Sequence, residues 1–260
     1  MLTEVHSVLV QREEDHEEWM EWCKYDFIDN GYRKIPMRFK ECARSVFQCH
    51  TETVNIWTHI AWFFAVLLTW TPRNAWFLAF KVALLACALA SVVFHTFHNM
   101  HPYVFQILQL LDHLTVQFTI YTGCMSLIST AHEECGTENT ELLNVLCSAL
   151  CVLFLVALCL SSYCSQGGNI MTQSLIFVLS VVMHSAPFWE YVLIRDVEVP
   201  SELVVAMAFL IISVTLYGFS VPERFCRSTC VYVCYSHIVF HILVAVASLL
   251  IIVGGYRIKC

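Results

Sequence analysis

Two imidazoles, His237 and His241, stand four residues apart in the otherwise apolar stretch YSHIVFHILV, residues 235–244. On a helix that spacing puts both rings on one face. Paired imidazoles suit a single Zn²⁺, and three histidines would leave a fourth tetrahedral position open, the pattern of a catalytic rather than a structural zinc. SVVFH supplies the third donor, His95, with Ser91 one turn before it, and LLDH supplies a carboxylate, Asp112. A zinc ion in such a set lowers the pKa of bound water toward about 7 and polarises a carbonyl. Asp112 would then serve as acceptor or base for that water, and Ser91 would donate a hydrogen bond to the water or to a developing oxyanion. Blander roles compete. A lone buried histidine is more often a hydrogen-bonded packing residue, and His59 and His184 are read that way. Small polar residues such as Ser91 are common where membrane helices touch. His98, His101 and His113 are read as interfacial, with His98 a competing ligand.

The elements that must position these groups follow from composition. The chain has 260 residues, is 58% hydrophobic and only 13% charged, about half the charge of a soluble domain. A bilayer-crossing helix needs about 20 mostly apolar residues. Seven stretches qualify: 53–70, 75–98, 103–129, 141–162, 169–190, 201–219 and 231–254, separated by breaks such as TPRN, HNMHP and VPERFCRST. The fold class expected is an all-α membrane protein, a seven-transmembrane helix bundle over 51–260 preceded by a cytosolic N-terminal segment, 1–50. Basic residues near the spans set orientation. Arg33, Lys34, Arg38, Lys40 and Arg44 crowd the start of the first span. A cytosolic N-terminus keeps these inside with Arg224 and Arg227, against Arg73, Arg195, Arg257 and Lys259 outside; the C-terminus then faces out. In that orientation Ser91, His95, Asp112, His237 and His241 fall at one depth, near the cytosolic edge. Ionised groups in spans cost about 2.5–3.5 kcal/mol at the helix centre, so they face the bundle interior. Gln109, Asp112, Thr115 and Thr119 form a stripe at helical spacing that fits such a face.

The net charge of −7 comes mostly from the acidic beginning and two short loops, and no cationic patch suggests a nucleic-acid partner. That beginning has no basic n-region followed by an apolar h-region, so insertion is expected to depend on the spans themselves. Of the fourteen cysteines, Cys87, Cys124, Cys147, Cys151, Cys159 and Cys234 sit in apolar runs, where cysteine packs as a small hydrophobe. Most are expected to be reduced. The run Cys226, Cys230, Cys234 lacks zinc-knuckle spacing.

The motifs together resemble the progestin and adipoQ receptor family. SVFQCHTETVNIWTHI places His50, Glu52, Asn55, Trp57, Thr58 and His59 in register with the family's most recognisable block. SVVFH, LLDH and VPERF followed by SHIVFH supply the Ser91/His95, Asp112 and His237/His241 elements, in an order also similar to the alkaline ceramidases. The resemblance implies a zinc ion held by three histidines. It further implies either slow hydrolysis of a lipid amide such as ceramide or a receptor for a lipid, steroid or hormone ligand. A zinc-stabilised scaffold without catalysis is the alternative. Membrane lipids are the expected surroundings, in the plasma membrane or an endomembrane.

Overall fold

A computed structural model describes residues 23–69, 71–136, 141–164, 170–195, 197–226 and 234–259. Among them are eight helices: α1 (Phe39–Ser45), α2 (Thr53–Thr69), α3 (Ala75–Phe97), α4 (Pro102–Cys135), α5 (Glu141–Cys164), α6 (Ile170–Arg195), α7 (Ser201–Gly218) and α8 (Ser236–Gly255). Each of the seven apolar stretches overlaps one of the helices α2 to α8. By length and composition, three of the helices, α3, α7 and α8, are long and apolar enough to cross a membrane; a shorter apolar helix covers Thr53–Leu68. Helix α4 continues to Cys135, past the stretch expected from hydropathy, and ends on the left-handed Gly136 (φ 57°).

Local chemistry sets the ends of these helices. Asn74 caps α3 by accepting from the Phe77 amide at 3.0 Å. His101 caps α4, whose first residue is Pro102, where the missing N–H costs nothing. The amide of Ser236 at the start of α8 is satisfied from outside the helix: Glu223, buried in the preceding loop, accepts from it at 2.7 Å and from the Ser236 hydroxyl. A carboxylate there also suits the positive end of the helix dipole.

The seven long helices close a ring, each packing on the next, with α8 returning to α2. At the end of α8 remote from its histidines the approach is closest. A Cβ on Gly255 would lie 2.6 Å from Phe77 Cζ, and one on Gly254 would lie 2.7 Å from the Leu203 side chain, so only glycine lets α8 meet α3 and α7 there. The same end carries the ion pairs Arg73–Glu134 and Arg257–Glu202, a bond from Tyr256 Oη to the Thr71 carbonyl and a backbone pairing of Glu198 with Lys259. Phe80, Leu84, Val66 and Ile252 fill the interior between α2, α3 and α8. Residues 23–52 fold under the opposite end, where Ile28 packs with Tyr235 and Ile238.

Nine described cysteines are free, including Cys226 and Cys234; Cys230, between them, lies outside the described residues. Cys135, outside the apolar runs whose cysteines were expected to be reduced, is disulfide-bonded.

Candidate functional site

Four imidazoles converge where the chain begins its spans. His59 lies two turns into α2, His95 in the last turn of α3, and His237 and His241 in the first two turns of α8. Ring centroids are 4.2 Å apart for His59 and His241, 4.3 Å for His237 and His241, 5.3 Å for His95 and His237, and 5.4 Å for His95 and His241. The ligand atoms of His59, His95 and His241 all lie within 4.8 Å of one another. Each of the four rings also carries a buried nitrogen with no hydrogen-bond partner: Nε2 of His59 and His95, Nδ1 of His237 and His241. Buried polar atoms are satisfied almost without exception. Four unsatisfied imidazole nitrogens in one cluster are what a divalent-metal site without its ion would show, so the residues fit a zinc ion.

The rings of His95, His237 and His241, grouped in the sequence reading, lie near one another, but the grouping whose ligand atoms come closest is His59, His95 and His241, and the sequence read His59 as packing. The structure adds His59 to the cluster on a third helix. Its signal was present in the spacing: Glu52, Asn55 and His59 share one face of an otherwise apolar helical stretch. Glu52, which the sequence offered only as part of a motif, proves to touch the cluster. Its Oε2 accepts from His95 Nδ1 at 2.7 Å and from Asn55 Nδ2 at 2.9 Å. Burial by itself would push this carboxyl up; the bonded His95 imidazole, with His98 and Arg33 nearby, outweighs that and holds it well below the usual carboxylate range.

Ser91 and Asp112 are directly paired, the Ser91 hydroxyl donating to Asp112 Oδ1 across α3 and α4. Both line a cavity of about 540 Å³ together with His59, His237 and His241. Tyr217 completes this polar end, its ring 5.1 Å from His237 and its hydroxyl donating to Gln173 Oε1 at 3.0 Å. The cavity then runs through the bundle as an apolar tunnel to Phe188, Trp189, Leu203 and Ile251. A few converging polar groups at one end of an otherwise apolar cleft of this size is the usual form of a small-molecule site.

The remaining candidates separate. His113, expected at an interface, lines the cavity beside Asp112. A tunnel this wide admits neighbours 100° apart on one helix. His98 is buried but turned back, its Nδ1 on the Phe94 carbonyl at 3.1 Å, and it packs against Phe94 and Phe105. His101 caps α4. His184 sits on α6, with Nδ1 donating to the Ser180 carbonyl at 2.7 Å, away from the four clustered rings. Of the polar stripe on α4, Thr119 reaches the cavity wall, while Thr115 and Thr119 both bond back to carbonyls of their own helix.

An apolar helical ring with buried histidines gathered at one end of an internal tunnel defines a membrane protein of a particular class. The comparison with known proteins names it: residues 47–252 match the family described as Haemolysin-III related, and the chain belongs to that family. It is similar to membrane progestin receptor beta of Sus scrofa, 24% identical over 86% of this chain and 69% of the relative. Progestin and adipoQ receptor-like protein 1 of Caenorhabditis elegans is 26% identical over 90% of this chain and 58% of its own length. The ADIPOR-like receptor IZH2 of Saccharomyces cerevisiae is 26% identical over 86% of this chain and 76% of that protein. The resemblance read from the motifs is thereby established.

Proposed function

We propose that this chain is a seven-span receptor-type membrane protein, its N-terminus cytosolic, whose buried zinc site works on a lipid amide such as ceramide at the polar end of the tunnel. The unit would comprise the segment 1–50 and the bundle 51–260. The observation that carries the reading is the coincidence of unsatisfied imidazole nitrogens, a paired Ser91–Asp112 and an apolar tunnel opening onto both. The names of the relatives, a progestin receptor and an ADIPOR-like receptor, support the receptor assignment. The disulfide at Cys135 supports the orientation, since it lies at the end of α4 remote from the histidines and disulfides persist in oxidising compartments.

His95, His237 and His241 would hold the zinc. When bound, zinc supplies Lewis acidity that polarises a carbonyl and makes water acidic near neutral pH. The chain supplies the rest. Asp112 takes a proton from the attacking water and returns it to the leaving nitrogen, while the Ser91 hydroxyl fixes the carboxylate and keeps one of its oxygens occupied. His59 packs against His241, with ring centroids 4.2 Å apart, and Tyr217 would offer a phenol near the reacting carbonyl. The tunnel takes the apolar chain of the substrate and excludes water around it. The connections at the remote end, such as that from Thr69 to Ala75, are short and favour a lipid ligand over docking of a folded hormone.

One observation favours a second reading. His59 joins His95 and His241 in the tightest grouping of ligand atoms, so four imidazoles could close the coordination and make the ion a clamp between α2, α3 and α8, in a scaffold without catalysis. Metal analysis of the purified protein with a lipid-amide hydrolysis assay separates the readings. Asp112→Asn should keep the metal and lose turnover. Full turnover in that variant would reject the role of Asp112, and no turnover in the metal-loaded parent across lipid amides would reject the catalytic reading and leave the clamp.

A further inference from the structure

His95 is held from two directions. Arg33, from the segment preceding the spans, donates to the His95 carbonyl at 2.7 Å and to the Thr96 carbonyl at 2.8 Å, closing the last turn of α3. Glu52 holds the ring. Glu52 is 2% exposed, and the same carboxylate oxygen accepts from both His95 Nδ1 and Asn55 Nδ2. Glu52 is itself fixed. Its backbone amide donates to His50 Nδ1 at 3.1 Å, and His50 Nε2 donates to the Ser45 carbonyl at 2.9 Å. Asn55 also donates to Tyr235 Oη at 2.6 Å, and that hydroxyl donates to the Thr51 carbonyl at 3.0 Å, next to the start of α8. A carboxylate can only accept, so the proton of the neutral His95 ring sits on Nδ1 and the lone pair on Nε2. Nε2 is the buried nitrogen left without a partner in the four-ring cluster.

We infer that Glu52 is a positioning residue of the metal centre: it fixes the tautomer and orientation of His95 and so sets the affinity of the site for a divalent ion. This rests on the proposal that the histidines bind metal. Carboxylates behind metal-binding imidazoles typically contribute about 10–100-fold in affinity. A carboxylate that merely filled space between α2 and α3 would change thermal stability without changing metal affinity at matched fold.

The test uses the full chain in detergent, stripped with a chelator, then titrated with Zn²⁺ against a competing chelator and with Co²⁺ followed by visible absorption. Glu52→Ala should bind zinc about 10–100-fold more weakly than the parent and show an altered cobalt band. Glu52→Gln keeps the size and one acceptor oxygen but loses the charge, and its affinity should fall between the two. Parental affinity and an unchanged cobalt band in Glu52→Ala overturn the inference. If that variant does not fold, Glu52→Gln decides alone, and zinc affinity equal to the parent's overturns it. A parent that binds neither metal overturns the metal reading itself; a parent that binds while both variants match it overturns only the role of Glu52.

Discussion

Replacing His241 by alanine is the most informative perturbation of the cluster. His241 belongs to both candidate ligand sets, and its Nδ1 makes no hydrogen bond within the protein. Its loss therefore strands no polar partner, unlike removal of His95, which would leave the buried Glu52 without its imidazole. The metal-free variant should consequently lose little beyond packing. The metal-bound state should lose much more. An ion at a thousand times its Kd stabilises the folded chain by about 4.1 kcal/mol, and the gain is absent when the ligand is gone. At roughly 2–4 °C per kcal/mol for a chain of this size, zinc should raise the parent's Tm by about 8–16 °C and that of His241→Ala by almost nothing. The assay is thermal unfolding of chelator-stripped protein with and without zinc, alongside metal content. Running His59→Ala and His237→Ala in parallel assigns the third imidazole: the ligand's variant behaves like His241→Ala, and the bystander's keeps most of the shift. His237 is expected to behave as the ligand. Stoichiometric zinc and an undiminished thermal shift in His241→Ala would refute the whole assignment.

Further outcomes are expected elsewhere. A membrane-impermeant maleimide should reach the exposed Cys49 and Cys226 only from the cytosolic side of sealed cells, and Cys135 should label only after reduction; labelling of Cys49 from outside would reverse the orientation. Gly255→Ala places a methyl against Phe77 and should cost about 1–3 kcal/mol in unfolding measurements, whereas Gly136→Ala, which meets nothing within 4 Å, should show only its positive-φ strain. Glu223→Ala removes the acceptor for the Ser236 amide and hydroxyl; it should lower stability by about 1–3 kcal/mol and weaken metal binding through His237, both measurable on purified protein.

Hydropathy was enough to locate the seven long helices because an apolar segment in a bilayer has no other way to satisfy its backbone. It was also enough to bring His95, His237 and His241 together, since depth in a membrane is nearly a function of distance from the helix end. Rotation about each helix axis was harder. His113 was read as interfacial because it lies about 100° round the helix from Asp112, and the breadth of the tunnel lets both line it. His59 was lost for a related reason. Its neighbour in the cluster, His241, is far away in sequence, so no local spacing paired them. Glu52 lay outside the apolar stretch and entered only as part of a motif; the fold of residues 23–52 beneath the bundle buries it.

The four clustered imidazoles are drawn from the first two long helices and from the last. During synthesis, the imidazoles of α2 and α3 are therefore in the bilayer well before their counterparts on α8 leave the ribosome. A half-made or C-terminally truncated chain would carry empty donors and no ion. On the zinc reading proposed above, capture of the metal would coincide with arrival of the final helix, and occupancy would be a chemical signature of a molecule whose assembly is complete.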